Sequence, residues 1–141
     1  MQVRIGTAFA VALLVGLTFL PFHAHGQSQE PTALELAQLP RFCYAQFKVP
    51  NATGDEFRIR DCGYAANHYC YGLMYIIRAK AAVSNKRTRM GLLGSAAVNI
   101  DQTEQAIKDY PQCSIREHVA ASKKQVLDLK KIYGGQPAGA K

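Results

Sequence analysis

Residues 61–83 read DCGYAANHYCYGLMYIIRAKAAV, and the fold turns on how this stretch is read. It holds two of the four cysteines, one of the four histidines and four of the seven tyrosines. From Tyr64 onward the spacing is helical. Tyr64, His68, Tyr71, Tyr75 and Arg78 fall at steps of 4, 3, 4 and 3, a single stripe along a helix. Tyr69, Leu73, Ile76 and Lys80 make a second stripe. A helix patterned on more than one face has neighbours on several sides, so this segment is expected to be the most buried helix, with Asp61 as its N-cap.

Downstream, Ser84-Asn85-Lys86-Arg87 breaks the pattern and Asn85 is placed to cap a third helix, about 87–109. That helix is expected to bury Leu92, Leu93, Ala96, Ile100 and Ile107. Gly91 and Gly94 weaken it by up to about 1 kcal/mol each relative to alanine, tolerable where two helices approach closely. Asp101, Glu104 and Asp109 read as its solvated face. Tyr110-Pro111 ends it. Ser114-Ile-Arg-Glu117 has capping-box spacing and opens a fourth helix with the stripe Ile115, Val119, Ser122, Val126, Leu129 and Tyr133. His118 is expected to be exposed. Gly134-Gly135 stops that helix, and 134–141 is read as a disordered tail.

Upstream, Thr32-Ala-Leu-Glu35 is another capping box, opening a short helix that Pro40 interrupts. A second short helix is expected from Arg41 to Lys48, then a loop from Val49 to Arg60 containing Pro50, Asn51 and Gly54. No strand-like alternation competes, so the fold class is all-α. At the N-terminus, Arg4, the apolar run from Ile5 to Leu20 and Ala24-His25-Gly26 have the layout of a cleavable export signal covering 1–26. The run is shorter than a bilayer span requires. The expected domain is therefore 27–133, periplasmic, with no membrane span after cleavage.

The formal net charge of +7 comes from scattered residues. The short clusters at Lys86-Arg87-Arg89, Lys123-Lys124 and Lys130-Lys131 read as solvated helix faces. No aromatic–basic pattern points to nucleic acid. Cys43, Cys62, Cys70 and Cys113 are an even count in a small exported domain, which suggests two disulfides. Four cysteines allow three connectivities, and the count leaves them open.

Leu39-Pro40-Arg41-Phe42-Cys43, with His68-Tyr69-Cys70-Tyr71-Gly72-Leu73 and Arg78-Ala79, resembles segments of a group of exported bacterial proteins. These carry LPxYC and HYCxGLxxxxRA segments ahead of tetratricopeptide-like helical hairpins; here Phe42 stands in place of the tyrosine. The resemblance implies a short hairpin array of about four helices braced by two disulfides. In that arrangement Cys43 pairs with Cys70 and Cys62 with Cys113, with 43–62 and 70–113 as the alternative. Cys62 and Cys70 there share one helix, about 12 Å apart, beyond the reach of a cystine.

Chemistry-bearing patterns are sparse. His68 and Cys70, two residues apart on a helix, point away from one another and do not grip one ion. There is no Cys-x-x-Cys, nucleophile elbow, phosphate loop or spaced ligand quartet. The expectation is a non-catalytic protein without cofactor or metal, which binds a polypeptide partner in the cell envelope through His68, Tyr71, Tyr75 and Arg78; core packing is the other reading of Tyr71, Tyr75 and Arg78. Tyrosine and arginine are enriched where binding energy concentrates. Two other readings are a redox or metal-binding envelope protein using Cys43, Cys70 and His68, and an accessory subunit of a larger envelope complex.

Overall fold

The computed structural model describes residues 29–135. The segment 1–26, expected to be an export signal, and most of the expected C-terminal tail lie outside the described residues. Within them the chain is all helical and free of strands. Helix α1 is Ala33–Gln38, α2 is His68–Ala81, α3 is Lys86–Ala106 and α4 is Arg116–Gly134, with 3₁₀ turns at Arg41–Cys43, Asp55–Phe57 and Tyr64–Asn67.

Helix α3 lies between α2 and α4, packing along both, while α2 and α4 meet only marginally. Leu92, Leu93, Ala96, Ile100 and Ile107 are all buried, as their spacing requires. The α4 stripe does the same through Ile115, Val119, Ser122 and Val126, with Leu129 and Tyr133 partly covered. Burying one such aliphatic side chain contributes about 1.5–3 kcal/mol. Helix α2 is the most densely buried: Tyr69, Cys70, Gly72, Met74, Ile76 and Ala79 are shielded within 14 residues. Two of the polar groups inside are paired across or along the helices, while the buried Gln46 side-chain amide has no hydrogen-bond partner among the described residues. The Tyr69 hydroxyl and Ser122 Oγ bond at 2.8 Å, joining α2 to α4, and Thr103 Oγ1 donates to the Asn99 carbonyl at 2.9 Å. Burial pushes the Tyr69 phenol pKa up, partly offset by that Ser122 bond.

Two cystines close the loops. Cys43 is bonded to Cys70 and Cys62 to Cys113, across 27 and 51 residues of sequence. Loop-closure entropy alone assigns them about 3.5 and about 4 kcal/mol of stabilisation. The second sits beside a reciprocal bracket: Arg60 N–H donates to Ser114 Oγ at 3.0 Å, and Ser114 N–H to the Arg60 carbonyl at 3.1 Å.

That bracket overturns two expectations. Asp61 does not cap α2. It is left-handed (φ 57°), Gly63 follows at φ 68°, and α2 begins only at His68 after the Tyr64–Asn67 turn. Cys62 is thus drawn toward Cys113 and lies outside the helix that carries Cys70. Gly63 is needed for its φ and because a Cβ there would meet the Tyr110 ring at 2.8 Å. Ser114 is likewise engaged with Arg60, so α4 starts at Arg116 with no side-chain cap.

Further upstream, the Thr32–Glu35 capping box is present. The helix expected over 41–48 is only the Arg41–Cys43 turn, because Lys48 and Asn51 turn left-handed (φ 53° and 65°). Phe42, where the resembling segments carry tyrosine, stacks on Tyr69 at 6.1 Å and tilts against the exposed His118 at 5.9 Å. It meets rings there.

Arginines finish the helices. Arg89, read from sequence as part of a solvated cluster, is 7% exposed. Its guanidinium donates to the Ala82 carbonyl at 3.1 Å and to that of Val83, at the end of α2, and lies 4.1 Å over the Tyr133 ring. Arg116 serves the end of α3 in the same way, donating to the carbonyls of Ile107, Lys108 and Tyr110. These carbonyls belong to the C-cap residues and the turns just past α2 and α3, at the helix ends where partial negative charge gathers and a cation is favoured. Asn85 caps α3 by accepting from Thr88 N–H at 2.9 Å.

The close helix approach falls at Gly72. A Cβ there would sit 2.8 Å from Ile100 Cγ1 and 3.4 Å from the Ala96 carbonyl oxygen, whereas Gly91 and Gly94 face open space. Gly72→Ala should therefore lower unfolding free energy in urea by about 1–3 kcal/mol. Gly91→Ala and Gly94→Ala should each raise it by up to about 1 kcal/mol.

Candidate functional site

Three residues of the α2 stripe come together. His68, Tyr71 and Tyr75 line a depression of about 270 Å³, completed by Asn99 from α3 and Gln29 from the segment before α1. The helical steps of 3 and 4 put the α2 side chains on one face, and the packing of α3 brings Asn99 alongside. Tyr71 is held edge-on to Phe47, ring centres 5.3 Å apart. Both tyrosines are half-buried and His68 is exposed.

The imidazole is tied to α3 through Asn99. Asn99 Nδ2 donates to the Ser95 carbonyl at 2.9 Å, so Asn99 Oδ1 is an acceptor. His68 Nδ1, 3.3 Å from it, is the donor. Nε2 is then left for a ligand. Together the depression offers two phenol hydroxyls, one imidazole nitrogen, an amide and aromatic walls. That set suits a peptide carrying polar main-chain groups and a side chain that packs on rings.

The other two members of the stripe go elsewhere. Tyr64 stands in the turn before α2 and is 93% exposed. Arg78 turns toward α1, where Nε donates to Glu35 Oε1 at 2.7 Å and Nη2 to Oε2 at 3.1 Å and to the Glu30 carbonyl at 2.9 Å. This ion pair is largely covered, with side chains 11% and 16% exposed. Glu35 was legible in sequence only as the partner of Thr32. Nothing local in the chain signals Asn99 or Gln29, whose places depend on tertiary packing.

Cys43 and Cys70, with His68 the basis for a redox or metal reading, are bonded to each other and fully buried. No cysteine is free. Among the described residues no three His, Cys, Asp or Glu side chains gather as a metal site. Asp101 and Glu104, read as a solvated face, both pair with Lys123 of α4. A larger hollow of about 760 Å³ lies at the Cys62–Cys113 end, between 59–63 and 109–112. It contains none of the stripe residues and is the seam between two loops. No protein-family model, curated protein or solved structure matches the chain.

The Arg78 hydrogen bonds hold the Glu35 carboxyl below its ordinary value of 4.5, against an opposing push from burial and with further help from the Thr32 backbone. A carboxyl lowered on folding stabilises the native state above its ordinary pKa and loses that contribution as pH falls through the lowered one. In urea denaturation between pH 7 and pH 3, Glu35→Gln should therefore be less stable than the parent at neutral pH. The two should converge at the acid end.

Proposed function

We propose that this protein is a non-catalytic interaction or assembly factor of the bacterial envelope, exported through residues 1–26 and acting in the periplasm. It takes a polypeptide on the exposed face of α2. The observation that carries this reading is the convergence of His68, Tyr71 and Tyr75 on one depression. There, aromatic area and unspent polar groups lie together on a rigid helix. Both cystines fit an oxidising compartment. No helix among the described residues is long and apolar enough to cross a membrane. The LPRFC and HYCYGLMYIIRA segments support kinship with exported bacterial tetratricopeptide-like proteins, whose hairpins offer such faces to peptides.

A redox or metal role through Cys43, Cys70 and His68 has less support, since a buried cystine provides no thiolate. Membership of a larger complex as an accessory subunit is compatible with the same face and would appear as a stable stoichiometric partner.

Affinity capture from a native envelope extract should recover a polypeptide with the parent chain. Tyr71→Ala/Tyr75→Ala should reduce that recovery at least about tenfold, the scale of losing a hot-spot aromatic, with the helical circular dichroism unchanged. Equal capture by the folded double variant would remove the basis for the proposal.

A further inference from the structure

Helix α1 has an unusual attachment. It is six residues long and none of them is buried, yet it lies against α2. Its hold has two parts. The Glu35 carboxylate closes the capping box on Thr32 and is gripped at the same time by the Arg78 guanidinium. Leu36 packs on the cluster of Leu39, Cys43 and Cys70, together with Leu73 and Ile77 of α2. Just upstream, Gln29 forms one wall of the His68–Tyr71–Tyr75 depression. Downstream, Leu39 is 5% exposed and the Cys43–Cys70 bond fixes the chain to α2. Residues 29–38 are therefore a strap, pinned at one end, that runs from the edge of the His68–Tyr71–Tyr75 depression past Arg78 to the adjoining Leu73–Ile77 side of α2.

The strap also shows what that face recognises. Arg78 continues the Tyr71–Tyr75 stripe one step further, and its ligand here is a glutamate carboxylate with a leucine at the next position. A bidentate guanidinium–carboxylate contact is geometrically selective, and the aliphatic seat beside it adds apolar area.

We infer that residues 29–38 are an intramolecular occupant of the α2 face, and that the partner is a polypeptide whose segment carries a carboxylate followed by an aliphatic side chain and displaces them. This rests on the reading of α2 as a polypeptide-binding face. A covalently attached occupant competes at high effective concentration, so apparent affinity for the partner is reduced by the fraction of molecules in which the strap is closed.

A labelled synthetic peptide with the sequence of residues 29–39, QEPTALELAQL, tests this by fluorescence anisotropy on the intact, disulfide-bonded chain. The parent should bind it weakly. Glu35→Arg sets like charges against each other and frees the strap, so that chain should bind the peptide saturably and at least about tenfold more tightly. Circular dichroism of each variant guards against misfolding. Adding Arg78→Glu in the same molecule restores an ion pair of opposite sense and should abolish binding. Replacing the peptide's own glutamate at the Glu35 position with glutamine should weaken it. The strap is rejected if the folded Glu35→Arg chain shows no saturable binding, or binds the glutamine peptide equally well. Because this assay needs no native partner, it separates the two proposals. Peptide binding with tyrosine-independent capture would keep the strap and remove the proposed function, and the reverse result would do the opposite.

Discussion

The covalent tie between Cys62 and Cys113 sets the frame. It joins the chain just before α2 to the chain just before α4, so those two helices start from one end and run the same way. The intervening helix α3 must return between them, and the short connections on either side leave it nowhere else to go. Once that register is set, the apolar stripes of α3 and α4 face each other and the Tyr69–Ser122 hydroxyl pair is brought within bonding distance. A domain this small buries a limited core, so a crosslink spanning half of it is a large share of its stability. The local cost is also visible there: two left-handed residues and a helix that begins late.

The second cystine has a different task. Cys43–Cys70 does not arrange the hairpins; it fastens an irregular segment, 39–60, to the side of α2. That segment has little regular structure, with two short 3₁₀ turns and two left-handed non-glycine residues, Lys48 and Asn51. Its apolar anchors are few, mainly Leu39, Phe42 and Phe47. Without the bond, a chain of this composition has little to hold it in one place.

The helical parts were legible because hydrophobic period is a property of the sequence itself. The α3 residues expected to be buried are buried, Asn85 and Thr32 cap as their positions require, and the second α2 stripe contributes Tyr69 and Ile76 to the core. The errors share one cause. Asp61 and Ser114 have the residue types of caps, but each lies beside a cysteine whose distant partner dictates the local backbone. Arg89 has the look of a surface charge, and only the meeting of helix ends gives it carbonyls to serve. Gly72 looked no different from Gly91, since nothing in a single helix reveals which face a neighbour will crowd. For the candidate site, the sequence supplied His68, Tyr71 and Tyr75. It could not show that Arg78 faces α1, because an ion pair over 43 residues of separation leaves no periodic trace.

The helix ends bear on how the molecule looks from outside. Arg89 is placed at the terminus of α2, Arg116 at that of α3, and Lys86 Nζ donates to the Gly134 carbonyl at the close of α4. Each helix C-terminus carries about half a negative charge, so these three cations are each engaged by backbone carbonyls. Arg78 is spent on Glu35 as well. A polyanion or an acidic lipid surface approaching this molecule would find fewer uncommitted guanidinium and ammonium donors than the 17 lysines and arginines suggest. Counting basic side chains overstates how many can reach out to such a surface, because several of them are engaged in holding the helix ends.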